Sequence, residues 1–282
     1  MPTMRVLHLN CATLTPLGAG WTPRGAGGAL ALPRMVCHCL LVESEAGLVL
    51  VDTGLGVADL EGRGLRHRAR LRLFGAALDP DQPAARQLVR LGHRPEDVRH
   101  VVLTHLDFDH AGGLADFPHA DVHVLVDEYD AAMARRTVTE RSRYRPITWA
   151  HHPRWVLHRP DGERWFGFER VRQLQGLPPE LLLIPLRGHS RGHCGVAVET
   201  PSGWLLHAGD AYFAHAEVHG EGPSCPGGLR AMQAITSTDD VGRLRNQARL
   251  RALVAERAGE VRVFSSHDGS ELVALQAEAV AG

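Results

Sequence analysis

Four short apolar runs, each followed at once by histidine or aspartate, constrain the fold of this chain more than any other feature. The runs begin at Val101, Leu181, Trp204 and Val261 and lead into His105, Gly188-His189, Gly209-Asp210 and His267. Apolar runs of this length that stop at polar or glycine-rich segments are typical of buried β-strands. Strand ends that meet at one rim hold imidazoles and carboxylates on a rigid frame. The sequence therefore predicts a metal site at the edge of a sheet.

Composition narrows the class of protein. The chain has 282 residues, 44% of them hydrophobic and 22% charged, as in a water-soluble globular protein with a large α/β core. Its formal net charge of -1 gives no general attraction to nucleic acid or to an anionic membrane. The N-terminus has no signal-peptide core, and no apolar run approaches the roughly 20 residues of a membrane span. We expect a cytoplasmic protein that acts on a small molecule, without nucleic-acid or membrane partners.

The five cysteines are an odd number and too few for a disulfide framework. Cys37 and Cys39 flank a histidine, which is compatible with a zinc site. They also lie in an apolar segment that predicts a strand, where alternation of side chains accounts for the same spacing. We interpret this pair as strand residues.

Strands and helices alternate along the chain, and no repeat or long linker divides it. The predicted strands cover 36–43, 47–51, 100–104 and 121–126, and the predicted helices cover 81–91, 127–136 and about 240–258. Residues of about 55–80 and 137–170 show no clean periodicity, and we interpret them as irregular insertions that form the walls of a pocket. The sequence thus predicts a single domain over residues 1–282 that carries two insertions.

The spacing inside residues 104–113 indicates two metal ions. His105 and Asp107 lie two residues apart, so in an extended segment their side chains point the same way. Asp109 and His110 follow as the chain turns into a helix and therefore face a different point. Two divalent ions about 3.5–4 Å apart need roughly seven or eight protein ligands, and a bridging carboxylate such as Asp210 meets that demand.

In order and type, these residues resemble the signature of the metallo-β-lactamase superfamily, which is H-x-H-x-D-H, then Gly-His-Ser/Thr, then a bridging aspartate, then a late histidine. Residues 52–54 are similar to the Asp-x-Gly segment of that superfamily. Residues 104–113, 188–193 and 266–268 most resemble the N-acyl homoserine lactonase-like branch. The resemblance implies an α/β fold, a four-layer αβ/βα sandwich, with a dinuclear site on one edge.

The resemblance also implies a role for each residue. The implied metal ligands are His105, Asp107 and His189 for one ion, Asp109, His110 and His267 for the other, and Asp210 as the bridge. His193 competes with His189 for one ligand position, and the family position favours His189. Asp52 is expected to hold a ligand imidazole by a hydrogen bond, with a plain turn role as the alternative.

Two positions depart from the signature. Asp107 stands where the middle histidine is expected, and a harder oxygen ligand lowers the preference for zinc. We predict two divalent ions, with zinc as the first candidate. Because of Asp107, iron and manganese are the alternatives. Related lactonases place a catalytic tyrosine three residues after the bridging aspartate, but that position is Phe213 here. Tyr212, two residues after Asp210, is kept as a catalytic candidate for polarising the substrate carbonyl.

The predicted chemistry is hydrolysis of a small carbonyl substrate by a metal-bridged hydroxide, with a lactone or a thioester ahead of a β-lactam. By resemblance, Asp109 also carries the proton from the nucleophile to the leaving group. Three alternatives stay open: a phosphodiesterase, a di-iron redox protein supported by the carboxylate of Asp107, and a non-catalytic ligand-binding module. The arginines at 135, 136, 141, 143 and 145 would support the phosphodiesterase, although we interpret them as a solvated face. Related lactonases are often dimers, so a homodimer is expected.

Overall fold

A computed structural model of the chain describes residues 5–16, 22–24, 29–31, 34–44, 47–62, 64–174, 176–177, 181–220 and 222–281. The strands in these ranges are β1 Arg5–Leu14, β2 Thr22–Arg24, β3 Ala29–Ala31, β4 Met35–Ser44, β5 Gly47–Val51, β6 Val98–Val102, β7 Asp121–Leu125, β8 Arg154–His158, β9 Gly162–Trp165, β10 Phe168–Arg170, β11 Arg172–Gln173, β12 Leu181–Pro185, β13 Cys194–Thr200, β14 Gly203–His207 and β15 Val261–Phe264. The α-helices are α1 Val57–Glu61, α2 Leu65–Leu73, α3 Ala84–Arg90, α4 Phe108–Ala111, α5 Val126–Ala134, α6 Val138–Arg143, α7 Gly227–Thr236, α8 Asp240–Arg257 and α9 Gly269–Ala281. Short 3-10 helices cover Pro95–Asp97, Gly112–Asp116, Pro146–Trp149 and His215–Glu217.

The strands form two main sheets. The first has the order β1-β4-β5-β6-β7-β8, antiparallel from β1 to β5 and parallel from β5 to β8. The second has the order β11-β12-β13-β14-β15, antiparallel up to β14, with β15 parallel to β14 after the long connection through α8. Two small hairpins, β2-β3 and β9-β10, stand apart from these sheets.

The two sheets face each other, and helices cover their outer faces. Leu40 and Val102 of the first sheet share an apolar cluster with Val196 and Phe264 of the second. Leu41, the neighbour of Leu40 on β4, points to the opposite cluster, which also contains residues of α3 and α5. Residues of α8 pack on the outer face of the second sheet. This arrangement is the predicted four-layer αβ/βα sandwich, and burial on both faces explains why the central strands read as continuous apolar runs.

The structure confirms several predicted elements and corrects others. The predicted strands at 36–43 and 47–51 are β4 and β5, although residues 45 and 46 of the turn between them lie outside the described residues. The two insertions are not irregular, because 55–80 contains α1 and α2, and 137–170 contains α6 and strands β8 to β10. Strand β8 extends the first sheet beside β7. None of the described helices combines the length and apolar character needed to span a membrane.

Loops from both sheets meet at one edge of the sandwich. The loops after β6, β12, β14 and β15 carry the polar residues that follow the four apolar runs. Backbone hydrogen bonds join these loops: the N–H of Cys194 donates to the carbonyl of Thr104 at 3.0 Å, and that of Ser266 donates to Gly209 at 3.1 Å. The first bond joins the two sheets, and the second joins two loops of the second sheet.

Candidate metal centre

The seven residues predicted as metal ligands come together at this edge. Six of them are buried, and Asp107 is half-buried. The gathered residues are His105, Asp107, Asp109, His110, His189, Asp210 and His267.

Asp210 lies between two groups of side chains. Its Oδ2 atom lies 3.4 Å from Nε2 of His189 and 3.8 Å from Nε2 of His105. Its Oδ1 atom lies 3.2 Å from Nε2 of both His110 and His267. Oδ2 also lies 3.2 Å from Nε2 of His267. The carboxylate as a whole therefore lies between two pairs of imidazoles, which is the arrangement expected of a bridge between two ions.

The remaining carboxylates complete the two groups. Oδ2 of Asp107 lies 3.1 Å from Nε2 of His189 and 3.4 Å from that of His105. Oδ2 of Asp109 lies 3.7 Å from Nε2 of His267 and 3.8 Å from that of His110. Ligands at about 2.0–2.1 Å from a tetrahedral ion are separated by about 3.3 Å, so each group has the spacing of atoms around a common centre.

Three of the imidazoles have a defined tautomer. His110 donates through Nδ1 to Oδ2 of Asp52 at 2.8 Å, and His267 donates through Nδ1 to the carbonyl of Val36 at 2.8 Å. The Thr104 hydroxyl donates to Asp52, so its oxygen accepts from Nδ1 of His105 at 3.0 Å. In the neutral form of each imidazole, Nε2 then carries a lone pair that faces the centre, as in metal-binding histidines.

Buried polar atoms in the centre lack hydrogen bonds. Nε2 of His105, Nε2 of His110 and Oδ1 of Asp210 are buried and make no hydrogen bond with any described residue. Burying such atoms without a partner is costly, and a cation between them would satisfy all three. The residues at this site therefore fit two divalent ions.

Asp52 holds the loop after β6 in place. Besides His110, its carboxylate accepts hydrogen bonds from the backbone N–H and from the hydroxyl of Thr104, both at 2.8 Å. The backbone of Asp52 is left-handed, with φ of 57°, a conformation that aspartate tolerates better than most residues. Asp52 makes the hydrogen bond to an imidazole that the sequence predicted.

His193 does not face the ions. It donates through Nδ1 to the carbonyl of Leu186 at 2.9 Å, and its Nε2 accepts from the backbone N–H of Asp210 at 2.8 Å. Both ring nitrogens are thus in use, while Nε2 of His189 faces Asp107 and Asp210. The geometry favours His189 for the ligand position and gives His193 the task of positioning the bridging residue.

Glu128 on α5 is a residue of this site that sequence reasoning missed. Its fully buried carboxylate accepts from the backbone N–H of Leu106 and the hydroxyl of Tyr144 on one oxygen. The other oxygen accepts from the hydroxyl of Ser190 and the backbone N–H of Gly192. Glu128 thereby joins the loop that carries His105 and Asp107 to the loop that carries His189, but no local pattern marks it.

Cys37 also comes close to the centre. Its sulfur, a carboxylate oxygen of Asp109 and a ring nitrogen of His267 lie within 4.8 Å of one another. Burial raises the pKa of the Cys37 thiol well above its usual range, and nearby carboxylates raise it further. The interpretation of Cys37 and Cys39 as strand residues holds for their place on β4, but it overlooked this proximity.

The charged groups shift each other's protonation. Burial alone would raise the pKa of Asp107, but the Arg143 guanidinium and the neighbouring imidazoles of His105 and His189 hold it well below its usual range. Burial would lower the pKa of His110, yet Asp210, Asp109 and Asp52 raise it well above its usual range. The His110 position therefore favours a positive charge.

The centre opens into a cavity of about 620 Å³. Asp107, Asp109, His189, Asp210 and His267 lie on its floor. Side chains from both insertions and from α7 form the walls, and they include Arg70, Leu73, Phe74, Val138, Arg143, Arg145, Met232 and Ile235. The insertions were predicted to form pocket walls, whereas the contribution of α7 was not foreseen.

Tyr212 does not take part in this cavity, which corrects the prediction of a catalytic role. Its side chain is fully buried, and its hydroxyl donates to Oε1 of Glu271 at 2.9 Å. The cavity is lined instead by Phe213, whose ring centroid lies 4.8 Å from that of His267. The hydroxyl bond to Glu271 holds the Tyr212 ring away from the cavity, so Phe213 is the residue that faces the centre.

Comparisons with known proteins agree with this geometry. The sequence profile described as "Metallo-beta-lactamase superfamily" matches residues 32–271. A probable metallo-hydrolase of Mycobacterium tuberculosis is 40% identical over 271 residues, which is 95% of this chain and 81% of that protein. An N-acyl homoserine lactonase of Bacillus thuringiensis is 28% identical over 188 residues, which is 66% of this chain and 67% of that protein.

A solved structure of an N-acyl homoserine lactone hydrolase with the product N-hexanoyl-L-homoserine at its catalytic metal centre has a similar fold. The TM-score is 0.69 at 23% sequence identity, and the match covers 96% of each chain. A dizinc quorum-quenching lactonase gives a TM-score of 0.62 at 16% identity, covering 93% of this chain and 86% of that one. At these identities the likeness concerns the fold.

Proposed function

Because this chain belongs to the metallo-β-lactamase superfamily and is a metallo-hydrolase, we propose that it opens a carbonyl ester bond, most readily that of a lactone, at a centre of two divalent ions. The observation that carries the proposal is the position of Asp210, whose carboxylate lies between two pairs of imidazoles with oxygen–nitrogen distances of 3.2–3.8 Å. The names of the lactonase relatives support the lactone, and a thioester is the next candidate.

The proposed ligands follow from these contacts. One ion would be held by His105, Asp107 and His189, the other by Asp109, His110 and His267, and both by Asp210. Two such ions supply water of lowered pKa as a nucleophile at neutral pH and polarise the carbonyl group of a substrate. The donor set of imidazoles and carboxylates suits zinc, and the oxygen of Asp107 also suits iron or manganese.

The protein positions the substrate and moves the proton. Asp109 lines the cavity, and its Oδ2 atom faces His110 and His267. A carboxylate that lines the cavity beside the proposed ions can accept the proton of the attacking water and pass it to the oxygen of the leaving group. The Phe213 ring lies beside His267 and makes one side of the cavity floor apolar.

The proposal is tested by metal content and hydrolysis measured on the same preparations. The protein is expressed with zinc, manganese or iron supplements, its bound metal is counted by elemental analysis, and lactones, thioesters and phosphodiesters are assayed. We expect about two ions per chain and hydrolysis of lactones or thioesters. Asp210→Ala should remove most of the metal because it takes a ligand from both ions, whereas Asp130→Ala, at an exposed position on α5, should change nothing.

The outcomes separate the alternatives. Only traces of transition metal in every preparation would refute the dinuclear centre. Two ions combined with phosphodiester hydrolysis alone would favour the phosphodiesterase. Bound iron that changes its visible spectrum on reduction, without hydrolysis, would favour the redox protein. Metal binding with no turnover of any kind would favour a ligand-binding module.

A further inference from the structure

Three arginines line the cavity above the proposed centre, and their placement was not expected from the sequence. Arg70 belongs to α2, Arg143 is the last residue of α6, and Arg145 lies two residues further along the chain. Arg143 and Arg145 were interpreted as part of a solvated face, which is wrong, because both side chains turn into the cavity. The proposed function gives these three side chains no role.

Arg143 is almost completely buried, with 6% of its surface exposed. One amino group of its guanidinium, Nη2, donates to the carbonyl of Thr236. The other, Nη1, lies 3.3 Å from Oδ2 of Asp107 but makes no hydrogen bond with any described residue. The buried guanidinium is thus held through Nη2, while Nη1 faces Asp107 at the cavity wall.

Arg70 is held in a similar way. Its guanidinium carbon lies 4.7 Å from the ring centroid of Phe108 and 5.4 Å from that of Phe74, and Nη1 donates to the carbonyl of Ser142 at 2.5 Å. Its Nε atom is buried without a hydrogen bond to the described part of the chain. The backbone carbonyl of Arg145 accepts from the N–H of Thr148 at 2.9 Å, whereas its guanidinium group makes no hydrogen bond or ion pair with any residue that the structure describes.

The charge balance leaves these arginines without counter-ions once the ions are bound. Asp107, Asp109 and Asp210 carry three negative charges, and two divalent ions with a bridging hydroxide would carry a net three positive charges, so the loaded centre itself would be close to neutral. Carboxylates that coordinate ions no longer neutralise neighbouring guanidinium groups, so the three arginines would leave the cavity with an excess of positive charge. A cavity with a positive field attracts and orients anions.

The rest of the wall is apolar. Leu73, Val138 and Ile235 line the cavity although 59%, 75% and 80% of their surfaces are exposed, and Phe74 and Met232 lie beside them. Exposed large apolar side chains clustered at the mouth of a cavity are typical of a surface that a ligand covers.

These observations deepen the proposed function, on which the inference rests. We infer that the substrate carries a carboxylate in addition to the bond that is hydrolysed, joined to it by an apolar chain. Arg70 and Arg145 hold this carboxylate, and Arg143 keeps the adjacent wall positive. The planar guanidinium groups match the two oxygens of a carboxylate.

Paired hydroxamates test the inference by binding rather than by turnover. Each pair has a hydroxamate at one end, which anchors on the ions, and an alkyl linker that ends in a carboxylate or in the corresponding carboxamide. Dissociation constants are measured by calorimetry on the metal-loaded protein for several linker lengths. We expect the carboxylate to bind at least about tenfold more tightly than the carboxamide at the best length, as for other charge-assisted hydrogen bonds.

The arginine variants identify the source of the preference. Arg70→Gln and Arg145→Gln should each reduce the ratio of the carboxamide dissociation constant to the carboxylate dissociation constant. The double variant should bring this ratio close to one. Arg68→Gln, an exposed position on the same helix as Arg70, is the matched control and should leave the ratio unchanged. The wild-type ratio should also fall as the salt concentration rises.

A ratio near one in the wild type, or a ratio that the double variant retains, overturns the inference. If the protein hydrolyses lactones while the ratio is near one, the proposed function stands and the carboxylate site fails. If the ratio behaves as expected while no ester or thioester is hydrolysed, the carboxylate site stands and the proposed function fails. If neither hydroxamate binds, the inference falls together with the metal centre.

Discussion

Replacement of Glu128 by glutamine should loosen the candidate metal centre without touching any proposed ligand. Oε1 of Glu128 accepts from the N–H of Leu106 and Oε2 accepts from the N–H of Gly192, each at 3.0 Å. Glutamine puts an NH₂ group in place of one oxygen. Whichever way the amide turns, that group faces a backbone N–H that cannot rotate away.

The expected magnitude follows from these bonds. A buried donor left without an acceptor costs about 1–3 kcal/mol, and the bonds that survive lose the benefit of a charged acceptor, which adds roughly 1 kcal/mol. Removing a buried charge offsets part of this cost. We therefore expect Glu128→Gln to lower the free energy of unfolding by about 2–3 kcal/mol. The affinity for metal should fall about tenfold, because loops on both sides of the centre lose their connection.

Urea unfolding of the metal-free proteins at neutral pH measures the first effect, and competition with a coloured chelator measures the second. Ser190→Ala is the matched control, since it removes a single hydroxyl donor from Oε2 and should cost only about 1 kcal/mol. If Glu128→Gln unfolds within about 0.5 kcal/mol of the wild type, a range usual for surface substitutions, the reasoning about the two backbone N–H groups is refuted.

Three further predictions concern single residues. Asp52→Asn should weaken metal binding about 10–100-fold, measured by chelator competition, because the amide cannot accept from His110 and both groups of Thr104; an unchanged affinity would contradict this role. Tyr212→Phe should leave kcat/KM for the best substrate unchanged, whereas Asp109→Asn should lower it about 100-fold or more; an equal loss in both variants would restore a catalytic role for Tyr212. Burial, reinforced by His158 and His100, lowers the pKa of His123 to about 3, so its contribution to stability is complete above its ordinary value of 6.5 and is lost as the pH falls toward 3. A change from pH 7.5 to pH 5 should therefore lower the free energy of unfolding of His123→Leu by about 1–2 kcal/mol less than that of the wild type, as measured by urea unfolding. Equal decreases in the two proteins would show that this imidazole does not titrate as described.

Much of the architecture follows from local sequence patterns. The runs that form β4, β5, β6 and β7 are apolar because both faces of a central strand are buried, and this makes them readable without knowledge of the fold. The helix α8 was readable from its cap, since Asp239 accepts a hydrogen bond from the N–H of Gly242. The insertions were misread as irregular because α2 has no apolar periodicity of its own.

The composition of the candidate centre also follows from the sequence, because the polar residues stand directly after strands whose ends must share an edge. The order of those residues, together with the spacing of His105 and Asp107, was enough to predict two groups and a bridge, and the structure gathers them in that arrangement. Strand alternation is a local rule, so two residues two positions apart share a direction in any fold that keeps the strand.

Only the tertiary structure decided which distant side chains surround the centre. Glu128 meets Gly192 across 64 positions of sequence, and Arg143 meets Asp107 across 36, so no periodicity or spacing could pair them. The same holds for Tyr212 and Phe213, where the packing of α9 determines which ring faces the cavity and which hydroxyl reaches Glu271. Secondary structure arises from interactions between residues a few positions apart, whereas these contacts depend on how whole layers pack against one another.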